Sequence, residues 1–112
     1  MNKEELYIIT NESFNNENNL FFCDNIDLKS IPEELNKYCK VNIIGRKSKI
    51  KRSKLVKLSS INIFKNILSY IIFILKTGLK KKANYLIISI SPYTFLASLI
   101  LKILNQKHFI YL

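Results

Sequence analysis

The stretch Tyr85-Leu86-Ile87-Ile88-Ser89-Ile90-Ser91-Pro92-Tyr93-Thr94-Phe95-Leu96 decides how this chain folds. Its first six residues form an apolar run rich in β-formers, which predicts a buried strand. Ser91-Pro92 then switches the backbone into a helix, with Ser91 as N-cap and Pro92 at the first helical position. Apolar spacing continues through Phe95, Leu96, Leu99, Ile100 and Ile103, and Asn105 ends the helix. The uncharged window from Tyr85 to Leu101 also approaches the length of a membrane span, about 20 residues. Pro92 interrupts that window, and Ser89, Ser91, Thr94 and Ser98 dilute it. A capped strand-to-helix unit explains the same residues by local chemistry and is preferred to a membrane hairpin.

The flanking segments repeat the alternation. Downstream, His108-Phe109-Ile110-Tyr111-Leu112 reads as a strand. Upstream, an apolar helix is expected from Ile61 to Lys76, capped by Ser59 or Ser60 and stopped by Gly78. Lys40-Val41-Asn42-Ile43-Ile44 reads as a strand closed by Gly45. Ser30-Ile31-Pro32-Glu33 reads as a capping box opening a short helix that ends near Cys39. Leu6-Tyr7-Ile8-Ile9-Thr10 is the first strand, followed by a polar loop from Asn11 to Asn19. Glu4 and Glu5 stand where a signal peptide needs basic residues, and the apolar run is too short for one. The order strand–helix–strand–helix–strand–helix–strand predicts an α/β chain: an open parallel sheet of about four strands with helices on both faces, a partial Rossmann-like unit.

At 112 residues the chain is one domain, residues 1–112, with a basic loop at 46–59. Hydrophobic residues make up 48% of it, enough for a core and too much for a disordered chain. The formal net charge is +10, and its distribution is lopsided. All eight carboxylates lie between Glu4 and Glu34; from Leu35 onward there are 16 Lys and Arg and no Asp or Glu. Such a balance favours anionic partners. Lys, Asn, Ile and Phe make up about half the chain, so AT-rich coding is a competing cause of the charge.

The densest cluster is Arg46, Lys47, Lys49, Lys51, Arg52, Lys54 and Lys57. It has no interleaved aromatic, so it lacks the stacking platform of a single-strand nucleic-acid binder. It reads as a solvated loop able to rest on an anionic membrane, at about 1 kcal/mol per basic residue near that surface. Nucleic acid is the less favoured partner. Cys23 and Cys39 have no metal or redox spacing and read as free thiols in a reducing compartment. His108 is the sole histidine, and no metal site is expected. No glycine-rich phosphate loop, serine elbow or zinc motif is present. Ligands of an open parallel sheet bind beyond the carboxyl ends of its strands. Here the last such end falls at Leu112, so the chain reads as a truncated fragment.

The first strand Leu6–Thr10, the strand running into Ser91-Pro92-Tyr93-Thr94, the helix to Asn105 and the strand His108–Leu112 resemble the N-terminal, acceptor-side domain of GT-B glycosyltransferases. The likeness covers nearly the whole chain in layout. It implies transfer of a sugar from a nucleotide-sugar to a polysaccharide or lipid-linked acceptor, across a cleft between two domains. It also implies a missing C-terminal domain that holds the nucleotide-sugar, no cofactor in this chain, and no activity of the fragment alone. Asn11 and Ser91 are the positions it marks as acceptor-side contacts. The expected location is the cytoplasm, with basic residues 46–57 able to hold the chain at the inner face of the membrane. The glycine-rich turn many members carry after the first strand is replaced here by Asn11–Asn19. Two rival readings stand beside it: a small basic integral-membrane protein without enzymatic activity, and a nucleic-acid-binding α/β module.

Overall fold

The computed structural model describes residues 5–18, 20–24, 26–48, 50–52, 54–58, 60–80, 83–88 and 91–111. Ten elements follow one another: β1 (Glu5–Glu17), β2 (Leu20–Cys23), α1 (Ile26–Leu35), β3 (Lys40–Lys47), β4 (Lys54–Val56), β5 (Ser60–Phe64), α2 (Ile67–Lys80), β6 (Asn84–Ile88), α3 (Pro92–Ile103) and β7 (His108–Tyr111). β1 pairs in parallel with β3 on one side and β6 on the other, β3 with β5, and β6 with β7. The far end of β1 folds back antiparallel onto β2, and β2 takes β4 as its second antiparallel neighbour.

This corrects the expected four-stranded parallel sheet. Among the described residues the sheet has seven strands and is mixed, with β2 and β4 antiparallel. Three of its strands went unrecognised for separable reasons. β5 is a short apolar run that merges in sequence with the apolar run of α2, and such runs do not reveal their own period. Ser60 therefore opens a strand instead of capping a helix. The cap of α2 is Asn66, whose Oδ1 accepts from the Ser69 amide at 2.9 Å. Ser59 lies outside the described residues. β2 and the extension of β1 come from the stretch expected as a polar loop. Asparagine disfavours strands, but pairing on both sides outweighs that preference. Ser13 and Phe14 lie opposite Arg46 and Lys47, and Asn15 to Glu17 lie opposite Leu20 to Phe22. Asn18, at φ 54°, supplies the left-handed turn the hairpin needs. β4 hides in the basic run, where Val56 is its one buried residue.

Helix boundaries also moved. α1 begins at Ile26, so Ser30 and Pro32 lie inside it. Glu33 reaches Lys29 at 2.8 Å instead of closing a capping box. Gly78 lies within α2 instead of stopping it, and a Cβ there would lie 2.5 Å from Leu104 Cδ1, just past the end of α3. The start of α3 is as the sequence indicated. Ser91 accepts from the Thr94 amide at 3.2 Å, and Thr94 Oγ1 accepts from the Ser91 amide at 2.8 Å. Asn105, at φ 58°, follows its end.

Strand alternation divides the core in two. Ile8, Val41, Ile43 and Ile61 join Phe14, Cys23 and Val56 in one cluster, with Leu35 of α1 packed on it. Ile9, Ile44, Tyr85 and Ile87 face Tyr70 and Ile74 of α2 and Ala97 and Leu101 of α3 in the other. At the far end of α3, the buried Gln106 donates to the Gly78 carbonyl at 2.8 Å and accepts from the Ala83 amide at 3.3 Å. One side chain thus joins the end of α2 to the entry of β6.

Gly45 sits inside β3, where the sequence suggested a strand end. A Cβ there would lie 2.7 Å from the ring of Phe14, which is fully buried and cannot retreat. Gly45→Ala is expected to destabilise the fold by about 1–3 kcal/mol through overpacking, measured as a lower urea midpoint.

Candidate functional site

The parallel strands lie in the order β5-β3-β1-β6-β7. From β1 the chain first proceeds to one side, through β3 and β5, and then to the other, through β6 and β7. The carboxyl ends of β1 and β6 therefore flank a switch point, where α/β sheets open a crevice. Asn11 projects from β1 within the register shift between Ile9 and Ser13. Its Oδ1 accepts from Arg46 Nη1 of β3 at 3.3 Å. The Arg46 guanidinium lies 4.6 Å from the centre of the Tyr93 ring, a cation–π contact that reaches the first turn of α3. Tyr93 is fixed from below: Tyr70 OH donates to its carbonyl at 3.0 Å, and the two rings meet edge-on at 5.6 Å. Burial pushes the Tyr70 phenol well above its ordinary range, so it stays a neutral donor. Ser91 caps α3 beside this group, and the first turn of α3 carries no acidic residue to offset its positive dipole end.

Asn11 and Ser91, the two positions marked by the sequence, thus both stand on this crest. Asn11 occupies a strand, not a loop, and Ser91 is engaged in its capping box. Arg46 stands in β3 rather than in the basic loop expected at 46–59, and Tyr93 joins the group from α3 without having been an expected site residue. The one sequence signal for Tyr93 was its place directly after Ser91-Pro92. Together these side chains offer an amide, a guanidinium and an aromatic ring, a set suited to a hydroxyl-rich or phosphorylated ligand. A separate hollow of about 280 Å³ opens at the amino-terminal ends of the strands, between Tyr7, Asn42, Asn62 and Thr77, with the Glu5–Lys40 pair at 3.5 Å on its lining.

The other basic residues separate from Arg46. Lys47 ends β3 and is exposed, and Lys49 lies outside the described residues. Lys51 approaches Glu17 at 3.7 Å, and Arg52 pairs with Asp24 at 2.8 Å while its amide donates to Asn15 Oδ1 at 2.8 Å. Lys54 opens β4 opposite Cys23. The Lys57 amide donates to Glu33 Oε2 at 2.7 Å. The run is therefore laid over the β1–β2 hairpin and α1, and carboxylates from the acidic first third meet part of its charge. Cys23 is buried in the core and Cys39 is half-buried. His108 Nε2 lies 3.0 Å from Ser98 Oγ, on the edge strand. Among the described residues there is no cluster of metal-ligating side chains, and no helix is long and apolar enough to cross a membrane. The uncharged window is broken into β6 and α3.

Glu33 ties α1 to the end of β4. Partial burial alone would raise its carboxyl pKa, but hydrogen bonds from Lys29 and the Lys57 amide, with the charges of both residues, outweigh burial and lower it. A carboxyl lowered by folding contributes stability above its unfolded pKa, and that contribution is lost as pH falls through the folded value. Urea midpoints measured from neutral pH into the acid range below about 4 should fall less steeply for Glu33→Gln than for the unaltered chain.

No protein-family model, curated protein or solved structure matches the chain.

Proposed function

We propose that this chain is the N-terminal, acceptor-side portion of a glycosyltransferase that moves a sugar from a nucleotide-sugar to a polysaccharide or lipid-linked acceptor. One observation carries the reading: successive parallel strands are laid first on one side of β1 and then on the other, with Asn11, Arg46, Tyr93 and Ser91 gathered at the carboxyl ends where that switch occurs. In this reading Asn11 hydrogen-bonds acceptor hydroxyls and Tyr93 offers aromatic surface to the C–H face of a sugar. Arg46 holds an acceptor phosphate by charge-assisted hydrogen bonds. A C-terminal domain supplies the nucleotide-sugar. Closure of the two domains excludes water and aligns the acceptor hydroxyl with the anomeric carbon. The chain alone binds acceptor and performs no transfer.

Isotope-labelled chain titrated with phosphorylated and neutral oligosaccharides tests this. The amides of Asn11, Arg46, Ser91 and Tyr93 should shift together, and Arg46→Ala should weaken the phosphorylated ligand by about tenfold or more, the loss of a charged hydrogen bond. A crest silent to every glycan, with shifts only on salt-sensitive binding of RNA or DNA, would replace this reading with the nucleic-acid one.

A further inference from the structure

α2 and α3 present two opposite apolar faces, and only one of them meets the sheet. In α2, Tyr70 and Ile74 are buried, while Leu68, Ile72, Leu75 and Leu79 recur at intervals of four, three and four on the outer side. In α3, Thr94, Ala97 and Leu101 are buried, while Phe95, Leu99 and Ile103 recur every four residues outside. The exposure is substantial: 66% for Leu68, 71% for Leu79 and 81% for Ile103. The helices lie side by side, joined by Tyr70 to Tyr93 and by Gly78 against Leu104, so the two stripes form one outer surface. Scattered exposed leucines need no explanation, but a contiguous patch of this extent marks an interaction surface.

The charges around the patch select its occupant. Lys65 stands three residues before Leu68, Lys76 lies between Ile72 and Leu79, and Lys102 follows Phe95 by seven residues, on the same side of α3; all three are exposed. Neither helix contains a carboxylate. A second copy of the same surface would bring lysine against lysine, which opposes pairing. An anionic bilayer satisfies both features: apolar side chains enter the acyl boundary while the lysines meet headgroup phosphates. At 14 and 12 residues these helices are too short to span and suited to lie flat. We infer that the outer face of α2 and α3 is a docking surface for anionic phospholipid membranes. This inference rests on the exposed face alone and does not require the transferase reading. It also moves the membrane contact away from residues 46–57, part of whose charge is already paired.

The chain has no tryptophan, so Ile103→Trp gives a clean reporter. With vesicles of phosphatidylcholine and phosphatidylglycerol, its emission should shift to the blue and the chain should co-sediment; with phosphatidylcholine alone both effects should be much weaker. Leu79→Asp with Ile103→Asp should reduce co-sedimentation by about tenfold or more, with an unchanged circular dichroism spectrum, whereas Lys51→Ala with Arg52→Ala should leave it unaltered. Three results would overturn the inference: no blue shift on anionic vesicles, binding lost in the Lys51/Arg52 variant instead, or a concentration-dependent dimer dissolved by the two aspartates, which would make a second copy the occupant.

Discussion

Everything in this fold hangs on one strand that must satisfy three neighbours. β1 is hydrogen-bonded to β3 and β6 along its first half and to β3 and β2 along its second. Buried backbone amides and carbonyls need partners, so a strand with covered faces must be bordered on both sides. The register shift between Ile9 and Ser13 is where β1 exchanges one neighbour for the other. A bulge of this kind re-aims side chains. It places Asn11 at the crest and lets Phe14 descend into the core over Gly45, where no larger residue fits. Packing and candidate chemistry therefore share one irregularity.

How far the sequence can be read depends on whether the cause of each feature is local. The two ends of α3 were legible because Ser91 and Pro92 at its start and Asn105 just past its end carry their conformational reasons in their own side chains. β5 was not, because Ile61, Ile63 and Phe64 run into Ile67 and Leu68 with only Lys65 and Asn66 between them. The polar extension of β1 was not, because its stability comes from β2 and β3. The same division applies to the crest. Asn11 and Ser91 were visible as strand-end residues, but the Arg46–Tyr93 contact joins two segments far apart in the chain, and nothing in either segment announces the other.

The uneven charge also acquires a structural cause. The acidic first third and the basic middle are neighbours in space, through Glu17, Asp24 and Glu33 against Lys51, Arg52 and Lys57. Exposed pairs of this sort contribute little individually. Their effect is to hold a run of like charges in one place and to leave the lysines beside α2 and α3 without acidic counterparts on those helices. The molecule is thus partly neutralised over the hairpin and cationic beside its apolar outer surface.

The pairing of β1 with β6 sets a timetable. Leu6 lies opposite Asn84, with β2, α1, β3, β4, β5 and α2 all emerging in between. At about 5–20 residues per second, a ribosome exposes the first strand on the order of ten seconds before its second long neighbour exists. Throughout that interval one flank of Ile8 and Ile9 offers unpaired backbone to any other nascent strand. The sheet can therefore close around β1 only after α2 and Asn84 have emerged, whatever the pace of local pairing earlier in the chain.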